Sequence, residues 1–340
     1  MLHINHKFKV DNSENYLVII MDEKIYSYLD RIATSLEKIA QALSYNQDNL
    51  VSEDKESTVR HIDSPVTDCS KENDKAFEHT RENDLLEYSD DEYDNIVSHL
   101  DTCGITIKNI CKNECASEAL KSLSLFMGER YDDISDVYKR IKARLGDGKA
   151  FSMTLKNKKQ EEISGSCQFC NMLYRIAFLA DYKYKKSPAY QLFARPNRDP
   201  KAINFLTGHW FELYVTTILE NEINSIKSRS SENIKWAFMS NPQIKLPNGD
   251  DFELDILFSV NGDIYWYEVK TGTYQDYIGK YSKMSDMLNL DEEHCFLVLM
   301  NTTTDDCSRL SKVFNMNVVS LNDIKNVIEE TLSKYKRIIE

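Results

Sequence analysis

The chain contains no apolar run approaching the roughly 18 residues needed to cross a bilayer; Tyr16 to Met21 is far too short. It shows no secretory signal pattern, and its 8 cysteines follow no regular disulfide spacing. Those absences argue against membrane and secreted classes and predict a protein of a reducing compartment, the cytoplasm. Positive charge is also in deficit: 42 basic against 55 acidic residues give a net charge of -13. Spread evenly, that balance would exclude a nucleic-acid partner, because backbone phosphates need Lys and Arg. It is not spread evenly. Residues 51–100 carry 15 Asp+Glu against 5 Lys+Arg, whereas residues 131–203 carry 15 Lys+Arg against 8 Asp+Glu.

At 340 residues the chain is expected to hold two or three units rather than one core. The pattern predicts an α+β, multidomain protein. Residues 1–44 read as a short strand and a helix with Ile25, Leu29, Ile32, Leu36, Ile39 and Leu43 at spacings of four and three. That seam over residues 25–43 would pair copies into a homo-oligomer, or pack on its own domain. Residues 45–90 are rich in Asn, Asp, Glu, Ser and Lys and read as an acidic linker, with the run Glu87–Asp94 as a solvated spacer. Residues 91–130 read as a helical segment through Ile96, Val97 and Leu100 and then Ile107 to Met127. Cys111 and Cys115, with Cys167 and Cys170, would supply four thiolates for zinc. No turn-forming residues create knuckles, and Cys170 falls in line with Leu173 and Ala177, so the better reading is reduced core cysteines.

Residues 131–200 are the basic segment. Asp133 to Leu145 reads as a helix with Lys139, Arg140, Lys142 and Arg144, Ala150 to Lys156 as a strand, and Glu161 to Ala180 as a second helix. Asp181 to Pro196 then reads as a hairpin turning at Ser187-Pro188, with Lys183, Lys185 and Lys186 on one arm. Helix, strand, helix, hairpin resembles a winged-helix module, in which the second helix enters a groove and the wing touches phosphates. Gln168, Asn171 and Arg175 are the side chains on that helix suited to base edges. The segment would therefore contact nucleic acid, or serve as a structural adaptor.

Chemistry concentrates in Asp250 to Gly272, DDFELDILFSVNGDIYWYEVKTG. Phe252, Leu254, Ile256 and Phe258 alternate along one strand, Asn261-Gly262 supplies turn chemistry, and Ile264 to Val269 forms a second strand. Asp255 sits inside the first strand; Glu268 and Lys270, two apart, share a face of the second. Carboxylates in an apolar strand are costly unless paired or holding a cation. Two of them beside a lysine suit a hard, oxygen-liganded ion such as Mg²⁺ and phosphodiester chemistry. The bland reading is a salt-bridged lysine at a strand end. Upstream, Ile203 to Asn221 has helical spacing and carries Glu212; downstream come a helix over Tyr274 to Leu290 with Gln275 and Lys280, a buried strand from Cys295 to Met300, a helix near Asp305 to Val313, a strand at Val318-Val319 and a closing helix.

That order resembles the PD-(D/E)xK nuclease superfamily, whose core is αβββαβ and restriction-endonuclease-like. The runs Leu206 to Glu212 (LTGHWFE), Glu253 to Ile256 (ELDI) and Glu268 to Gly272 (EVKTG) look most like the nuclease domain of the CARF-linked CRISPR ancillary nucleases, over residues 201–340. The proline usual before the first acid is absent. The resemblance implies that Asp255, Glu268 and the Val269 carbonyl bind Mg²⁺ or Mn²⁺, that Lys270 is catalytic and that Glu212 is an accessory acid. Gln275 and Lys280 would position phosphates. It implies a metal-dependent endonuclease acting on DNA or RNA in prokaryotic defence against phage or plasmids, with a defence-system partner, although the alternating strands and helices of a CARF sensor are missing from residues 1–130. The alternative is a catalytically idle nuclease fold that binds DNA or serves as a protein adaptor.

Overall fold

The computed structural model describes residues 89–109, 116–229 and 234–339, which belong to one unit, Glu82–Glu340. The heptad seam over 25–43, the linker as far as residue 88, and Cys111 and Cys115 lie outside the described residues.

Two helices and a short strand come first. α1 (Asp90–Thr102) places Ile96 and Leu100 in the core, and Gly104, at φ 69°, ends the turn that follows. Ile107, expected in a helix, lies instead in β1 (Thr106–Asn109), because the chain leaves that turn extended and pairs with a later strand. α2 (Glu118–Glu129) follows.

The basic segment contains α3 (Tyr131–Lys142), β2 (Phe151–Thr154), α4 (Gln160–Arg175), β3 (Leu179–Lys185) and β4 (Gln191–Pro196). Its three strands form an antiparallel sheet in the order β2-β4-β3. In α3, Ile134, Val137, Tyr138 and Ile141 recur at helical spacing and are buried, while Lys139 and Arg140 face outward. Cys170 is fully buried on α4, beside Phe169 and Leu173, as the apolar stripe predicts.

A short α5 (Pro200–Asn204), capped by the Asp199 carboxylate, runs into a single π-helical turn, Phe205–His209, and then into α6 (Trp210–Arg229). α6 buries residues around its whole circumference, as expected for a helix enclosed by other elements. The remaining elements are β5 (Trp236–Ser240), β6 (Gln243–Lys245), β7 (Asp251–Glu253), β8 (Ile256–Val260), β9 (Asp263–Lys270), α7 (Ile278–Met287), β10 (Cys295–Leu299), α8 (Thr304–Phe314), β11 (Asn317–Ser320) and α9 (Ile324–Thr331). Five strands make a mixed sheet in the order β11-β10-β9-β8-β5, antiparallel on the β5 side and parallel from β9 to β11.

Period-2 alternation divides this sheet's side chains between two cores. Tyr265, Tyr267 and Val269 of β9 join the cluster that contains α6, α9 and the basic segment. Trp266 of the same strand joins a second cluster with α1, α7 and Leu297 and Leu299 of β10. The sheet is therefore the middle layer of three. At its outer turn, the buried Glu92 carboxylate of α1 accepts hydrogen bonds from the Ser259 hydroxyl at 2.5 Å and the Gly262 amide at 3.1 Å, tying α1 to the β8–β9 hairpin.

The single strand expected over Phe252 to Ser259 is broken. β7 pairs with β6 in a small sheet with β1, whereas β8 pairs with β5 in the large sheet. The crossing falls at Leu254-Asp255. Opposite it the partner chain bends at Asn241-Pro242, where Asn241 takes φ 50°, the Asn241 amide donates to the Asp255 carbonyl and the Leu254 amide to that of Pro242. Asp255 thus stands at the bend between two sheets, not within a strand.

Candidate functional site

The bend brings three ionisable groups together. β9 extends three residues beyond Tyr267, the last of its residues to pair with β8, so Val269 meets the Asp255 side chain in place of a ladder partner: its amide donates to Asp255 Oδ2 at 2.7 Å. Lys270, at the end of β9, donates to the same oxygen at 3.0 Å and pairs with Glu268 Oε1 at 2.7 Å. One ammonium therefore bridges two carboxylates that are 6% and 2% exposed. Period-2 spacing places Glu268 and Lys270 on one face, as the sequence predicts.

Glu212 enters from the first turn of α6. Its Oε2 meets His209 Nδ1 at 3.1 Å and accepts from Asn241 Nδ2 at 3.3 Å. Asn241 thus belongs to the site, as do His209 and Tyr281, whose ring lies 5.6 Å from the Lys270 ammonium. These three were missed in the sequence. The available signals were the i, i+3 spacing of His209 and Glu212 and the Asn-Pro turn dipeptide at Asn241; Tyr281 carries none.

Electrostatics follow from burial. Burial pushes the Asp255 carboxyl up to about 6; Lys270 opposes this and Glu212 adds to it. Burial, reinforced by Asp255, raises Glu268 to about 8. Burial works against a charged Lys270, but Glu268 and Asp255 outweigh it and hold the ammonium above its ordinary value. Glu212 ends below the ordinary carboxylate value: burial raises it, and His209, Asn241 and Lys270 more than reverse that.

Two polar atoms at the centre stay unsatisfied. Glu268 Oε2 and Asn241 Oδ1 are buried with no hydrogen-bond partner. The Tyr281 hydroxyl and the Asp255 amide both act on the Glu268 carboxyl group, yet neither bonds Oε2. Buried orphan oxygens are expensive and mark places where a further group belongs. Among the described residues, no three His, Cys, Asp or Glu side chains stand together as a ready-made cation site. A cation at this bend would therefore draw on two carboxylates and a main-chain oxygen. The Val269 carbonyl suits that role: in an extended strand it points to the side its amide takes, towards Asp255 and beyond the end of the β8 ladder, while the next carbonyl, of Lys270, accepts from Met300 of the neighbouring strand segment.

The π turn anchors the helix that carries Glu212. Tyr138 of α3 donates to the Leu206 carbonyl at 2.9 Å and accepts from Trp210 Nε1 at 3.1 Å. The Thr207 carbonyl accepts from Lys142 Nζ at 3.2 Å and from the Thr271 hydroxyl at 2.9 Å. The basic segment and the residue after Lys270 therefore hold the same turn, and π-helical turns are frequent at functional sites.

The other residues singled out in the sequence lie elsewhere. Gln275 is exposed in the turn before α7 rather than on the helix, and accepts from the Tyr274 amide. Lys280, on α7, is exposed with its ammonium 4.6 Å from the Phe252 ring. Lys183, Lys185 and Lys186 are exposed on the β3 arm; Lys183 sits 3.7 Å from Asp181 and over Phe193.

Fold and site together define an α+β protein with a buried, lysine-bridged acidic centre at the bend of a mixed sheet. No protein-family model and no curated protein matches the chain. Among solved structures it is similar to protein VC1899 from Vibrio cholerae, at 16% identity and a TM-score of 0.45, over 71% of this chain and 61% of that one. It is also similar to Can2 from Sulfobacillus thermosulfidooxidans, solved with cyclic tetra-adenylate, at 13% identity and a TM-score of 0.46, over 70% and 60% of the respective chains. This chain thus spans about three fifths of the length of either structure. At such identities and scores, the functional reading rests on the site itself.

Proposed function

We propose that the chain is a metal-dependent nuclease that hydrolyses phosphodiester bonds in DNA or RNA. The observation that carries this reading is the Asp255, Glu268, Lys270 centre with Glu268 Oε2 buried and unpartnered. An idle domain gains nothing from three converging ionisable groups whose burial opposes their charges.

Asp255, Glu268 and the Val269 carbonyl would hold Mg²⁺ or Mn²⁺, an all-oxygen set of the kind these ions take. When bound, the ion would supply positive charge to the phosphoryl oxygens and acidify a water. Lys270, held protonated by its two partners, is unsuited to act as a base. Its role is to offset negative charge growing on the phosphate. Glu212 stays ionised and is fixed by His209 and Asn241, so it can orient the attacking water. Lys183, Lys185, Lys186, Gln275 and Lys280 would position the strand as phosphate contacts, and the basic segment with its three-stranded sheet would act as a winged-helix-like nucleic-acid module. The order of helix, strands and acids supports the PD-(D/E)xK reading, and the motif resemblance supports a place in prokaryotic defence.

The test is cleavage of labelled single- and double-stranded DNA and RNA in Mg²⁺, Mn²⁺ or EDTA. Cutting is expected only with metal, and Lys270→Ala and Asp255→Ala should each reduce it on the order of a hundredfold or more. Absence of cutting on all four substrates, or cutting that survives Asp255→Ala, would overturn the proposal.

A further inference from the structure

A second chemical feature lies away from the acidic centre. A surface cleft of about 440 Å³ opens between one face of α3 and the β2 strand with the loop after it. Asp136, Lys139 and Arg140 line it from α3, and Thr154 and Lys158 from the other wall. Lys158 is already engaged by Asp136 at 2.6 Å and Glu162 at 2.8 Å, one ammonium against two carboxylates, so it offers the cleft no free positive charge. Lys139 and Arg140 are exposed, and neither pairs with an acidic side chain among the described residues. They give the cleft lining its excess of positive charge, with the Asp136 carboxylate on the same wall feeling both.

Lys139 also has a defined relation to the acidic centre. It stands one helical turn, about 4.5 Å of rise, from Lys142 on the same face of α3. Lys142 touches the Thr207 carbonyl, which Thr271, next to Lys270, also holds. The α3 face thus leads from the π turn beside the centre to the cleft.

We infer that this cleft is a backbone-phosphate subsite for the nucleic-acid strand that reaches the acidic centre, with Lys139 and Arg140 as its two phosphate contacts. The inference rests on the nuclease reading and specifies where the strand runs once it leaves the centre. The cleft is open and lined mostly by charged and polar side chains, so its two cations take sequence-independent phosphate oxygens. The chain's net charge of -13 would otherwise repel such a strand, which makes a local excess of cations decisive for where it lies.

The experiment is fluorescence anisotropy of labelled single-stranded DNA, single-stranded RNA and duplex DNA across a salt series in EDTA. It compares the wild type, Lys139→Ala/Arg140→Ala, and Lys185→Ala/Lys186→Ala. Removing two phosphate contacts should lower the slope of log K against log salt by about 1.4 on single strands or about 1.8 on duplex, and weaken binding roughly tenfold near physiological salt. Both residues are exposed, so the thermal midpoint should not change; Arg140→Glu, a charge reversal, should weaken binding further. An unchanged slope in Lys139→Ala/Arg140→Ala, or no binding by the wild type to any of the three, overturns the inference. The Mn²⁺ cleavage assay separates the two readings. Cutting with an unchanged slope sinks the cleft alone, and a reduced slope without cutting sinks the nuclease reading alone.

Discussion

Among the carboxyl groups of the site, Glu268 carries the largest electrostatic burden. Its carboxyl group has a folded value raised to about 8, against an ordinary value of 4.5, with burial the main cause. Between those values the folded state binds more protons than the unfolded state at this group, so its contribution to stability falls as pH rises. That contribution is fully present below about 4.5 and is lost through about 8. In EDTA, Glu268→Gln should therefore gain thermal stability over the wild type on going from pH 5 to pH 8.5, by a few kcal/mol at most, at about 1.4 kcal/mol per unit. Thermal melts of both proteins across that range check it, and a difference that does not grow with pH would mean that Glu268 is not desolvated. Glu268 and Lys270 were legible in the sequence because strand alternation carries their side chains to one face; Asp255 was legible as an acid in an apolar run, but its place at a bend was not. Asn241 and His209 were not, because one depends on a φ of 50° at a bend and the other on a π turn, neither of which leaves a periodic trace.

Among elements, the helix and strand pattern over 131–196, 203–221 and from 250 onward was legible from apolar periodicity, with boundaries shifted by a few residues, whereas β5 and β6 were not placed. The crossing of β7 into β8 was not legible. Phe252 to Ser259 alternates without interruption, and only pairing with two different sheets reveals the break. The packing of α2 on α6 was likewise hidden. A Cβ on Gly128 would lie 2.3 Å from the Tyr214 ring, so glycine is required for the two helices to approach. Gly128→Ala is expected to destabilise by roughly 1–3 kcal/mol through overpacking. A urea titration checks this, and an unchanged midpoint would show that the interface yields freely.

Considered whole, the basic segment and the mixed sheet share one hydrophobic cluster. It runs from Ile134 and Phe169 through Trp210 and Phe211 to Tyr265 and Tyr267, without an interruption at residue 200. Aromatic contacts continue across it, with Tyr138 and Tyr131 against Trp210 and Trp210 against Phe211. Residues 131–200 and 201–340 should therefore unfold in one cooperative transition. Calorimetry of the unit Glu82–Glu340 should show a single peak whose calorimetric and van't Hoff enthalpies agree; two separable peaks would contradict the shared core. Among the described residues, no helix is long and apolar enough to cross a membrane.

The π turn before α6 has a consequence for how the site keeps its shape. Such a turn is an α-helical turn carrying one residue too many. Here the surplus is not separable from its surroundings. Tyr138 and Lys142 of α3, and Thr271 just beyond β9, each donate to a carbonyl of that turn. Deleting one residue of the turn should displace the acceptors of three donors at once, and with them the helix start that carries Glu212.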